Sequence, residues 1–156
     1  MTTASSVRIV ERGFAVLPAN VNLTGTVSGA WQNSGCEVTL TAAGAYHLDA
    51  VVRATLNASD GTNVWIGARL FDVTAGAVVP NSEALVYQIA NSVSPTTTVV
   101  TEGGNQAVPI AVPYTVPGPR VIRIQVVKNY TGPAPATAQV ISDANGRTTL
   151  RYERIA

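Results

Sequence analysis

Apolar and polar residues alternate with a period of two along most of the chain, and no stretch repeats at the 3.6-residue period of a helix. In "VTLTAAGAYHLDAVVRATL", Val38 to Leu56, the residues Tyr46, Leu48, Ala50, Val52, Ala54 and Leu56 fall on one face of an extended strand. His47, Asp49, Val51, Arg53 and Thr55 fall on the other. One face is fit for burial and the other is mixed. "NVWIGARLFDV" sets Val64, Ile66, Ala68 and Leu70 against Trp65, Gly67, Arg69 and Phe71, so both faces are partly apolar, as in a strand inside a sandwich or at a subunit contact. "RVIRIQVVKN" sets Ile122, Ile124 and Val126 against Arg123, Gln125 and Val127, and "RTTLRYERI" sets Leu150 and Tyr152 against Thr149, Arg151 and Glu153.

Turn chemistry divides these runs. Asp60-Gly61 in "NASDGTN" predicts a hairpin joining the strands on either side as an antiparallel pair, and Asn145-Gly146 in "SDANGR" predicts another before the last strand. Adding Val7 to Leu17, the region of Val21 to Val27, Glu83 to Ala90 and Ala107 to Val116 gives about eight to ten strands. The predicted fold is all-β, an antiparallel two-sheet β-sandwich, in one domain over residues 1–156 with residues 1–6 as a short arm. Pro109 and Pro113 confine their segment to a sheet edge, which they also blunt against stray pairing. The polar stretch Asn91 to Gln106, "NSVSPTTTVVTEGGNQ", reads as an exposed loop at one end of the sandwich.

Composition narrows the function classes. Hydrophobic residues make up 46% of the 156 and charged residues only 12%, about half the usual share. That fits either surface buried in an assembly or a solvent face built from Thr and Ser. A net charge of +1 offers no field to hold a phosphate backbone, which excludes a nucleic-acid partner. No apolar run approaches the ~18 residues of a membrane span, and "MTTASSVRIVERGF" has no signal-peptide pattern, so the expected product is a soluble protein. The single Cys36 rules out an intrachain disulfide and reads as a buried, inert thiol. Sequons at Asn22, Asn57 and Asn129 are chance matches in a Thr-rich chain that lacks a secretory signal.

Catalysis finds little support. His47, the one histidine, sits in mid-strand beside Asp49 and Arg53, there is no G-x-S-x-G elbow, and the scattered carboxylates show no spacing that pairs them. One His and one Cys supply no transition-metal site, and Asp143-Ala144-Asn145-Gly146 lacks the remaining ligands of a calcium loop, so no cofactor or metal is expected. A carbohydrate-binding module is the rival reading, with Trp31, Trp65, Tyr87, Tyr114 and Tyr130 as candidate platforms and Trp31, in "SGAWQNSG", the expected ligand contact.

"CEVTLTAAGAYHLDAVVRATL" resembles the strand, A-x-G-x-Y, strand signature of trimeric jelly rolls of the C1q and tumour-necrosis-factor type. Gly44 stands at the turn, Tyr46 opens the long strand, and the Leu48 to Leu56 face alternates. "WIGARLFDVTAGAVVPNSE" and "TTLRYERIA" are similar to structural proteins of tailed bacteriophages, so the resemblance spans Val38 to Ala156. It implies a non-enzymatic homotrimer with one sheet's outer face about a three-fold axis. The partners implied are the major capsid protein or other virion proteins, with glycan for a tail module. The location implied is the virion, after synthesis in the bacterial host's cytoplasm. Without a heptad or collagen-like stem, a compact capsid decoration protein fits better than a fibre. The expected subunit contacts are Val51, Trp65, Phe71 and Val127 as apolar groups, with His47, Asp49, Arg53, Arg69 and Arg123 as polar ones.

Overall fold

A computed structural model describes residues 10–91 and 101–155. They form eleven strands and no helix: β1 (Arg12–Val16), β2 (Val21–Asn22), β3 (Gln32–Leu40), β4 (Gly44–Ser59), β5 (Asn63–Asp72), β6 (Ala77–Val78), β7 (Ala84–Ala90), β8 (Thr101–Val116), β9 (Arg120–Thr131), β10 (Thr137–Val140) and β11 (Thr149–Arg154). Two antiparallel sheets make a jelly-roll-like sandwich. In the six-stranded sheet, β4 carries β8 along one side, with β11 and β10 end to end along the other, and β1 and β2 lie beyond these. The five-stranded sheet runs β3, β9, β5, with β7 and β6 sharing the far edge of β5.

The period-two pattern decides which side chains meet between the sheets. Tyr46, Leu48, Ala50, Val52, Ala54, Leu56 and Ala58 are all buried on β4, facing Val64, Ile66, Ala68 and Leu70 of β5 and Ile122, Ile124 and Val126 of β9. Burial of a Leu or Ile side chain is worth about 1.5–3 kcal/mol, so this layer carries most of the cohesion. At the inward position after Val126 the alternation places Lys128, which is 1% exposed; its ammonium donates to the Thr24 carbonyl at 2.7 Å, and burial pushes its pKa down. Cys36 is buried as expected, and burial raises its thiol to about 11, which leaves it unreactive at neutral pH.

Four expectations need correction. Asp60-Gly61 makes its turn, with Gly61 at φ 75, but β4 and β5 do not pair: they lie in different sheets. Both edges of β4 are already occupied, by β8 and by β11 with β10, so the turn carries the chain across the sandwich. Asp143 to Gly146 likewise forms a closed turn with reciprocal backbone bonds of 2.9 and 3.2 Å, yet β10 and β11 pair with β4 and not with each other. The stretch Asn91 to Gln106 is not all loop. Residues 101–106 extend β8 opposite Ala54 to Ser59, and 92–100 fall outside the described residues, as does the arm 1–6. In the region of Val21 to Val27 only Val21–Asn22 is strand, while β10, in "PATAQV", is a strand the pattern was too short to reveal. The edge reading of Pro109 and Pro113 matches β8, which pairs with β4 alone.

Candidate functional site

The nine expected contact residues separate onto opposite outer faces and so do not form one surface. His47, Asp49, Val51 and Arg53 point outward from the six-stranded sheet; Trp65, Arg69, Phe71, Arg123 and Val127 belong to the outer face of the five-stranded sheet.

On the six-stranded face, register builds three rows across the strands. Val16, Thr149, Val51 and Pro109 form one; Phe14, Arg151, Asp49 and Ala111 the next; Arg12, Glu153, His47 and Pro113 the third. Phe14 is 64% exposed, and Val16 and Val51 are exposed beside it. Val10 and Ile155 extend the same alternation past the ends of β1 and β11 and are exposed too. Five of the eight large apolar side chains exposed among the described residues thus share this face, and a shallow hollow of about 510 Å³ lies between Phe14, Arg12 and Arg151. Its charges are mixed: the Asp49 carboxylate takes Arg151 at 3.2 Å and His47 at 3.4 Å. Arg53 is not free for a contact. Its side chain is mostly buried and its guanidinium spans Asp143 (2.9 Å) and the Gly146 carbonyl, fastening the Asp143 turn to β4. That pairing holds the Asp143 carboxyl below its ordinary range.

On the opposite face the polar groups are bound to one another. Arg123 holds Glu37 (2.7 Å), Arg69 donates to Gln125 (3.0 Å) and Glu83 (3.3 Å), and Gln125 donates to Asn33 (3.2 Å). Trp31 reaches across β9, and the Arg69 guanidinium stacks on its ring 3.9 Å from the centroid and lies 5.7 Å from the centroid of the Phe71 ring. Val127 is 4% exposed, covered within its own chain, so it is withdrawn as an intersubunit contact. Trp31 and Trp65 line one cleft of about 300 Å³ with Glu83, Leu85 and Asn129. The other aromatic candidates do not reach it. Tyr87, Tyr114 and Tyr130 pack against the core, and the Tyr114 hydroxyl donates to Asp72 at 2.8 Å; burial first, and this bond second, push its pKa to about 12.

His47 keeps only Asp49 as a side-chain partner among the described residues, with no hydroxyl or thiol nucleophile bonded to it. What this surface offers chemically is contact area. The contact set read from the sequence does not include Phe14, Val16 or Pro109, which the register places in the rows of Asp49 and Val51. The alternation of Arg12, Phe14 and Val16 was the one available signal.

No protein-family model matches the chain, and no curated protein matches it. Among solved structures the fold is similar to a chain of infectious bursal disease virus, Gt strain, with 10% identity and a TM-score of 0.50, covering 98% of this chain and 35% of that one. It is also similar to the VP2 subviral particle of infectious bursal disease virus, with 8% identity and a TM-score of 0.50, covering 93% of this chain and 33% of that one. The chain therefore spans about a third of the length of these viral chains, and at such identities the likeness is one of fold.

Proposed function

We propose that the protein is a non-enzymatic virion component, a compact jelly roll that self-associates as a homotrimer through the outer face of its six-stranded sheet and decorates the outer head of a tailed bacteriophage. The observation that carries this reading is that exposed face, on a sandwich whose fold over nearly its full length is similar to chains of virus particles. Its apolar side chains are clustered, and its Asp49, Glu153, Arg12 and Arg151 mix both signs, so two copies meet without a net repulsion. Phe14 stands beside a hollow on the same face, which gives a cyclic assembly a knob and a hole. The resemblance of Gly44, Tyr46 and the alternating β4 face to C1q-type and tumour-necrosis-factor-type jelly rolls supports three copies and one sheet face at the axis. Repetition on a lattice then multiplies weak contacts to a capsid into stable attachment.

The test is to mix the purified protein with empty phage heads and sediment them. Co-sedimentation that saturates at a fixed ratio to the major capsid protein is expected; a protein left wholly in the supernatant contradicts the decoration role.

A further inference from the structure

The cleft between Trp31 and Trp65 has a composition that the assembly face does not explain. It lies on the opposite side of the sandwich, bounded by two indoles, with Gly67 and Val127 in its floor and Glu83, Leu85 and Asn129 at its rim. Glycine in mid-strand weakens a sheet unless something needs the space. Here a side chain at Gly67 would press on Val127 at 3.1 Å and come within 3.9 Å of the Trp31 ring edge, so the missing Cβ leaves open space between that edge and the strand. Arg69 stacks on one face of Trp31 but takes no part in lining the cleft, so it braces the indole and leaves the remainder of the ring to the opening. Leu85 is 53% exposed at the rim, an apolar group held in water.

We infer that this cleft is a binding site for a neutral carbohydrate, one sugar ring seated against Trp31 and Trp65 with its hydroxyls on Asn129 and Glu83. Three features select that class. Two aromatic walls suit the flat apolar faces of a pyranose. The Glu83 carboxylate is already matched by Arg69 at 3.3 Å, so the site carries no net charge to attract an ion. The Asn129 amide both donates and accepts, as a hydroxyl-bearing ligand requires. The cleft's volume of about 300 Å³ stands at the lower end for small-molecule sites, room for a single ring with the rest of a chain running out to solvent. This site is independent of the assembly reading and stands whether or not the protein decorates a head.

The full chain is titrated with cellotriose, maltotriose and chitotriose at millimolar concentrations, following tryptophan fluorescence and the indole Nε1–H resonances. At least one trisaccharide should bind saturably and shift the indole signals of both Trp31 and Trp65. Trp65→Ala should weaken that binding at least tenfold, and Leu85→Arg, which fills the rim from an exposed position without touching the core, should abolish it with the circular dichroism unchanged. Saturable binding of none of the three sugars overturns the inference, as does sugar binding that survives both substitutions. Binding of choline but of no sugar overturns it too, and assigns the indoles to a cation cage.

Discussion

Glu11 gathers more polar partners than any other carboxylate described. One oxygen accepts from the Thr41 amide (3.0 Å), the Thr41 hydroxyl (2.8 Å) and the Tyr152 hydroxyl (3.3 Å), and the other from the Tyr46 hydroxyl (3.1 Å). The residue before β1 is thereby fastened to the turn between β3 and β4. The Thr41 amide, first among these donors, holds the Glu11 carboxyl below its ordinary range. Glu11→Gln keeps the shape but removes the charge from these hydrogen bonds, and a loss of about 1–3 kcal/mol is expected by urea denaturation at pH 7. The pH dependence has a definite sign. A carboxyl whose pKa is depressed by folding stabilises fully above its unfolded value of 4.5, and that share is lost as pH falls through the folded pKa. The gap between wild type and Glu11→Gln should therefore narrow steadily below pH 4.5; a gap that stays constant to pH 2 would contradict the assignment.

At the scale of elements, the two connections at one end of the sandwich are packed together. Gly132, following β9, is at φ 80, and a Cβ there would strike the carbonyl of Gly61 in the β4 to β5 crossing. Gly132→Ala combines a left-handed backbone with that collision, so a cost of at least about 2 kcal/mol is expected, or on the order of 4–8 °C in Tm. An unchanged melting curve would mean the two crossings do not constrain each other. These crossings also mark where the sequence stops being legible. The alternation of β4, β5, β9 and β11 predicts their inward faces residue by residue, because side-chain direction in a strand is a local property. Pairing is not local. Asp60-Gly61 satisfies its turn chemistry equally well whether the chain returns beside β4 or crosses to the other sheet, and only the occupancy of β4's edges decides. The same limit divided the contact residues. His47 and Trp65 read alike as outward positions, yet they belong to opposite faces, and Phe14 joins Val51 only through β11. Val127 is outward by parity but lies under its own chain's residues, a covering that no strand pattern shows.

For the molecule as a whole, the two outer faces differ in how their side chains are satisfied. One binds its polar groups into the ladder from Asn33 through Gln125 and Arg69 to Glu83 and holds the tryptophan cleft; the other leaves Phe14, Val16 and Val51 in solvent. A patch of that kind on a chain with only 12% charged residues is the surface that the proposed self-association would cover. Burying an exposed Phe and its neighbours at a symmetric contact gives each subunit the same gain, while one charge placed there desolvates without a partner in every copy. Phe14→Asp should therefore disperse the assembly and leave the sandwich folded, since Phe14 makes no part of the core. The most direct measurement is the mass in solution by size-exclusion chromatography with light scattering, wild type beside Phe14→Asp. The account predicts about 49 kDa for wild type, three times the 16.2 kDa chain, and the single-chain mass for the variant with an unaltered circular dichroism spectrum. A wild-type protein that elutes as a 16.2 kDa monomer at every concentration tested would contradict it.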